Sequence, residues 1–294
     1  MLDDRRFRRA GHAGRGCLGH APRIYAGDPR CPSAGRPGRG SPGPAYGFGR
    51  RSRRGDGVIR AAGIIGAGLG SRLANSHPGI PKPLVELGGR PLVCWVLDGL
   101  REAGINSVTL LHNSSGDAIP GVLRAAFPDF DFRFLRADTA SSWESFRLVA
   151  SSLAETEERF LMSTVDVVAP PGEVRRFAQR AAEADAALAL TRFVEDEKPL
   201  WADCDQDGFV DALGEDATVR ETVTCGLYAL SRAVAGNLKS PDAYARLRNF
   251  WTELVRSRTP VLGIVLSDTV DLDRPEDFKA ARALIAETAK RNHA

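Results

Sequence analysis

The chain has 294 residues, 43% of them hydrophobic and 26% charged, with a formal net charge of +3. That is apolar material for one large α/β domain or two small ones with a substantial core, and no apolar run reaches the ~18 residues of a membrane-spanning helix. The charge is uneven: residues 1–57 carry 13 Arg, no Lys and four Asp, which leaves the remainder with 27 basic and 33 acidic side chains.

Residues 1–57 also hold 13 Gly and 6 Pro without apolar periodicity, a composition that predicts a disordered extension with no fixed role. Two clusters, Arg5, Arg6, Arg8 and Arg9, then Arg50, Arg51, Arg53 and Arg54, leave open a nucleic-acid-binding arm. The segment lacks the continuous apolar stretch of a signal peptide, and its Gly and Pro content disfavours the amphipathic helix of a transit peptide. Five cysteines, Cys17, Cys31, Cys94, Cys204 and Cys225, form no C-x-x-C pair and suit a reducing cytoplasm. A soluble cytoplasmic protein with no membrane partner is expected.

From Val58 onward, β-rich runs alternate with helical patterns. Strands are predicted over 58–66, 107–112, 130–136 and 159–166. Amphipathic helices are predicted between them, over Pro91–Ala103, Asp117–Phe127 and Ser142–Leu153. Repeated βα units imply a doubly wound, mostly parallel sheet covered on both faces. Further on, 186–193 reads as a strand and 200–213 as a hairpin turning at Asp207-Gly208. Then come a strand over 221–230, a helical stretch around Pro241–Ser257, and a last strand leading through an acidic turn into a helix with Pro275 near its start.

The glycine loop after the first strand, GIIGAGLGSRL over Gly63–Leu73, admits two readings. Gly66-Ala67-Gly68 begins a dinucleotide fingerprint, with Glu86 at the distance of a ribose-binding acid, but the third glycine position holds Ser71. That reading would make the chain a nicotinamide-dependent oxidoreductase. In the other reading, backbone N–H groups from Gly66 to Ser71 cradle phosphates while Arg72 and Lys82, fixed between Pro81 and Pro83, neutralise them. Hydride transfer has no need of that lysine.

GAGLGSRL followed by PKPLVELGGRPL resembles the signature of nucleotidyltransferases, G-x-G-[ST]-R and then P-K-P, over about residues 58–290. The members in view are sugar-phosphate, inositol-phosphate and choline-phosphate nucleotidyltransferases and, more distantly, molybdenum cofactor guanylyltransferases. Gly66 departs from the alanine common there, a change expected to be harmless. The resemblance implies a Rossmann-like nucleotidyltransferase domain over 58–294, with a small hairpin-containing subdomain on the acceptor side. It implies that Gly66, Ala67, Gly68, Gly70, Ser71, Arg72 and Lys82 bind the nucleotide. Thr139 and Ser141, in the segment 137–142, resemble the contacts to base and ribose. Asp166 matches a magnesium ligand, and Asp273, in VDLDRPED, matches the other, with Asp271 as a rival for that place and helix capping as a rival role for Asp273. Asp277 reads as first-turn helix charge.

Transfer of a nucleotidyl group brings two anions together, so charge neutralisation and in-line alignment are the main tasks. Two carboxylates at strand ends can hold Mg²⁺ while leaving places for phosphate oxygens and water. The expected partners are an NTP and a small phosphorylated acceptor such as a sugar 1-phosphate or alcohol phosphate. On the acceptor side, Lys198 and Gly226 are candidates, with a solvated loop lysine as the plain alternative; Tyr228 reads as pocket or core, and Trp143 and Trp251 as packing. Base selectivity is assigned to residues 112–116 and 137–142. A non-catalytic nucleotide-binding or nucleic-acid-binding protein is the remaining alternative.

Overall fold

A computed structural model of the protein describes residues 58–74, 76–192, 198–267 and 269–291. The predicted extension over 1–57, with its Arg clusters, lies outside the described residues.

The first half of the chain runs β1 (Ala61–Gly66), α1 (Ser71–Ala74), the two-residue strands β2 (Glu86–Leu87) and β3 (Arg90–Pro91), and α2 (Leu92–Glu102). It continues through β4 (Ser107–His112), α3 (Ile119–Ala126), β5 (Asp131–Arg136), α4 (Ser142–Ala154) and β6 (Arg159–Thr164). β1 pairs in parallel with β4 and with β6, and β4 in parallel with β5, as the alternating βα pattern predicts.

The second half holds β7 (Val167–Val168), α5 (Glu173–Ala181), β8 (Ala186–Thr191), β9 (Trp201–Cys204), β10 (Val210–Leu213) and β11 (Thr222–Ser231). It ends with α6 (Arg232–Ala235), α7 (Leu247–Arg256), β12 (Leu262–Val265), β13 (Val270–Asp271) and α8 (Asp277–Arg291). β11 runs antiparallel to both β6 and β8, and β12 is parallel to β8. The hairpin β9–β10 turns at Gly208 (φ +85°), where the Asp205 carboxylate accepts the N–H groups of Asp207 and Phe209. It extends the same nine-stranded sheet through β11.

Helices cover both faces. On one side α2, α3 and α5 bury Leu97, Leu123 and Phe177 among sheet residues Ile64, Leu110 and Leu227. On the other, α4 and α7 bury Trp143, Phe146, Phe250 and Trp251 against Met162, Leu188 and Tyr228. Each such large side chain contributes about 1.5–3 kcal/mol on burial. α5, unmarked in the sequence reading, follows the helical period with Val174, Phe177, Ala178 and Ala181 inward. A third cluster, including Leu73, Val85, Leu87, Val270 and Leu272, lies beneath the glycine loop and the carboxyl-terminal segment. No helix among the described residues is long and apolar enough to cross a membrane.

Candidate active site

The glycine loop leaves the carboxyl end of β1, the central strand. Four residues of helix follow before the chain turns away, so the long helix that a dinucleotide fold sets behind its phosphate loop is absent from this position. Glu86, the ribose-binding candidate of that reading, sits instead in the β2–β3 pair. Lys82–Leu84 forms a short 3₁₀ turn that packs back under the loop. A Cβ on Gly66 would lie 3.0 Å from the Leu111 carbonyl oxygen and 3.2 Å from Pro83 Cγ. The glycine expected to be harmless therefore lets the P-K-P arm come close. Gly70 has φ +58° and lies directly against the Lys82 side chain.

That packing delivers Lys82 to two carboxylates. Asp166 follows β6 by two residues, and the antiparallel β7–β13 pair, with the Leu272 N–H donating to the Asp166 carbonyl at 3.1 Å, brings Asp271 and Asp273 beside it. Lys82 Nζ donates to Asp166 and, at 2.5 Å, to Asp273 Oδ1, while Arg72 donates to Asp273 Oδ2 at 3.0 Å. Burial works to lower the Lys82 pKa, but the Asp166 and Asp273 charges outweigh it and hold the ammonium above its ordinary value. Burial works to raise Asp166, and Lys82 reverses this, keeping it below the usual carboxylate range. Asp271, whose side chain opens into the cleft beside these groups, is pushed well above that range, first by its enclosure and then by the Asp166 charge.

The capping rival for Asp273 does not occur: its carboxylate faces the two cations. Asp277 instead turns its buried Oδ2 to the N–H groups of Asp273 (2.8 Å) and Arg274 (2.7 Å), fixing the backbone that carries Asp273. It does more than supply first-turn charge.

A cavity of about 590 Å³ opens beside this cluster, and Arg72, Asp166, Asp271 and Asp273 line it. So do both acceptor-side candidates, Lys198 and Gly226. Gly226 sits where the β11 register shifts, at φ +71°, and a Cβ there would collide with Thr164 Oγ1 and Val167 Cγ2. Tyr228 answers both readings: it is 8% exposed in the core, yet lines the cavity and stacks on Trp251 with ring centroids 5.3 Å apart. Trp143 is a packing residue, fully buried with its Nε1 donating to the Ser240 carbonyl.

The two segments assigned to the base in the sequence are knitted to the loop and to each other. Asn113 donates to the Ala67 carbonyl at 3.0 Å, and Asp138 accepts the Ser114 N–H at 2.8 Å. Ser141 lines the cavity, but its Oγ caps α4 by accepting the Glu144 N–H, and Glu144 accepts the Ala140 N–H in return. The Thr139 hydroxyl is paired with Ser145 Oγ and lies outside the cavity lining. Gly66, Ala67, Gly68 and Gly70 likewise border the site as a loop outside that lining.

Two cationic residues of this cavity went unmarked in the sequence: Arg246 and Arg248, at the start of α7. An R-x-R pair before an amphipathic helix was the available signal. Asp166, Asp271 and Asp273 all present their side chains to the same cavity. Among the described residues, no group of three or more His, Cys, Asp or Glu side chains is arranged to hold a metal ion by itself.

A family model described as the MobA-like NTP transferase domain matches residues 62–232. CMP-5'-(3-aminopropyl)phosphonate synthase of Streptomyces rubellomurinus is 25% identical over 203 residues, 62% of this chain and 32% of that protein. Mannose-1-phosphate guanyltransferase 2 of Candida glabrata is 21% identical over 239 residues, 78% of this chain and 66% of that protein. The chain thus spans about a third of the first relative and just under two thirds of the second. The inositol-1-phosphate CTP transferase from T. maritima superposes with a TM-score of 0.69 at 16% identity, over 79% of this chain and 96% of that one. The shared feature at that identity is the fold, the mostly parallel α/β sheet with helices on both faces.

Proposed function

The chain belongs to the family of MobA-like NTP transferase domains, and on that premise we propose that it is a Mg²⁺-dependent nucleotidyltransferase acting on a sugar 1-phosphate or alcohol phosphate. It would transfer an NMP group from an NTP and release pyrophosphate. The observation that carries this reading is the convergence of Arg72, Lys82, Asp166 and Asp273 at one edge of a cavity large enough for a small acceptor. The names of the relatives, a CMP-phosphonate synthase and a guanyltransferase for mannose 1-phosphate, support an acceptor with a phosphate or phosphonate.

The donor set fits Mg²⁺. Two carboxylates are few for a closed cage, but this ion keeps waters and takes phosphate oxygens as ligands. Asp166 Oδ1 is buried and makes no hydrogen bond of ordinary geometry among the described residues, although Thr164 is near enough to help lower its pKa. Such an oxygen has a coordination site to offer. Asp166 and Asp273 would hold the ion, which supplies neutralisation of the reacting phosphates.

The chain's own part is positioning. Backbone N–H groups of the Gly66–Ser71 loop hold the triphosphate, with Lys82 and Arg72 turning from the carboxylates to the phosphate oxygens. Lys198 and the open backbone at Gly226 receive the acceptor so that its oxygen faces the α-phosphorus. Developing charge then meets fixed cations in a cleft walled by Tyr228 and Trp251. The described cysteines, Cys94, Cys204 and Cys225, are all unpaired, which supports a reducing compartment such as the cytoplasm.

The test uses the purified chain, with and without residues 1–57, mixed with Mg²⁺, each of four NTPs and a panel of sugar and alcohol phosphates. Pyrophosphate release with one NTP and acceptor pair is expected, abolished by EDTA and by Asp166→Asn. Failure of every NTP to bind in calorimetry, together with no release, would overturn the proposal.

A further inference from the structure

Arg246 and Arg248 stand where helix energetics disfavours them. Arg246 is the N-cap of α7 and Arg248 belongs to its first turn, which holds no acidic residue. Cations at a helix N-terminus oppose the macrodipole. Neither arginine pairs with a carboxylate among the described residues. Arg248 is half-buried, donates to the Lys198 carbonyl at 3.0 Å and lines the cavity beside Lys198, as does the more exposed Arg246.

A separate observation on the same helix points to a ligand. Trp251, one turn further on, is 1% exposed and lines the cavity, yet its Nε1 has no hydrogen-bond partner. A buried indole N–H left unpaired is unfavourable unless something in the cavity accepts it. Two guanidinium forks and an idle N–H donor along one helix form a surface for an oxyanion.

The attacking phosphate of the acceptor belongs at the other edge, against the Asp166 and Asp273 end. We propose that the acceptor carries a second anionic group, a carboxylate or a further phosphate, bound by Arg246, Arg248 and the Trp251 N–H. This rests on the nucleotidyltransferase reading and narrows its substrate class to acceptors with a second anionic group besides the attacking phosphate. An acceptor whose phosphate is its single anionic group would leave both guanidinium groups without a counter-ion among the described residues of the cleft.

Matched pairs test it. Glucose 1-phosphate is compared with glucuronic acid 1-phosphate and with glucose 1,6-bisphosphate, and glycerol 3-phosphate with 3-phosphoglycerate. Binding to the full chain is measured by calorimetry with Mg²⁺, both with and without a non-hydrolysable NTP analogue. The nucleotide arm reads the underlying function by itself, so its failure is distinguishable from failure of the acceptor preference.

At least one probe with two anionic groups should bind about tenfold or more tightly than its partner with the phosphate alone, since charge-assisted hydrogen bonds are worth that much. The carboxylate and bisphosphate arms separate the two forms of the group. Arg246→Gln and Arg248→Gln should each reduce the preference, the double variant should erase it, and Arg248→Lys should retain part of it as a point charge. Nucleotide affinity equal to wild type in these variants shows that the fold is kept. No preference in any pair, including absence of binding by all the probes with two anionic groups, or a preference that survives the double variant, overturns the proposal.

Discussion

Lys82→Met keeps side-chain length and removes the charge that holds two carboxylates together. Lys82 is 8% exposed and Asp166 14%, so the variant leaves a carboxylate buried without its counter-ion. Breaking a buried pair from one side costs about 3–5 kcal/mol. Asp273 adds little, because it is 47% exposed and retains Arg72. At roughly 2–4 °C per kcal/mol for a domain of this size, the melting temperature should fall by about 6–20 °C. Mg²⁺ should then act oppositely on stability and activity: it replaces the missing ammonium and raises the melting temperature of the variant more than that of wild type. The rate of pyrophosphate release should remain down by about 10²–10³, because the triphosphate has lost its lysine. Thermal denaturation with and without Mg²⁺, beside a pyrophosphate assay, reads both. A variant within about 1 kcal/mol of wild type, or one with the same response to Mg²⁺, would refute the reasoning that Lys82 is the internal counter-ion of this site.

Gly226→Ala combines a positive φ with a Cβ driven into Thr164 and Val167; a loss of about 2–5 kcal/mol is expected in denaturant unfolding. Asp277→Ala removes two hydrogen bonds from the backbone of Asp273 and Arg274, so both stability, by about 2 kcal/mol, and pyrophosphate release should drop although Asp277 is no metal ligand in the proposed scheme. The Glu173 carboxylate is opposed by burial but held below its ordinary pKa by Arg176 and the Ser267 N–H. Its contribution is therefore fully present above the unfolded-state value of about 4.3 and is lost as pH falls through the folded-state value. The stability gap between wild type and Glu173→Gln, followed by urea unfolding against pH, should narrow below about pH 4; a gap that widens there would contradict the assignment.

Local periodicity made most of the fold legible. β4 begins and ends at Ser107 and His112 as predicted, and α4 opens at Ser142 behind the Ser141 cap. β4 buries side chains on both faces of the sheet and α4 buries one face, so the pattern along the chain repeats what packing enforces. What escaped was small or made by pairing across distance. β7 and β13 are two residues each, and neither carries a signal until the other is beside it, yet their pairing sets Asp271 and Asp273 against Asp166. α5 has a polar composition that masks its four inward residues. The charged cluster was legible because the glycines and prolines that deliver Lys82 are local, whereas Arg246 and Arg248 acquire meaning only once α7 is laid against the cavity.

The same contrast bears on how the site is poised. Arg72 and Lys82 are balanced by Asp166 and Asp273, so the cluster neutralises itself without any ligand. An NTP arriving by itself would have to draw both cations from carboxylates that stay behind uncompensated. In the proposed scheme a divalent cation arriving with it would take the carboxylates and free Lys82 and Arg72 for phosphate oxygens, exchanging one set of paired charges for another. At the far end of the cavity, Arg246 and Arg248 have no carboxylate partner among the described residues. On the proposed reading, a site self-neutral at the nucleotide end and cationic at the acceptor end would attract anionic acceptors at long range and hold a nucleotide firmly only together with its metal.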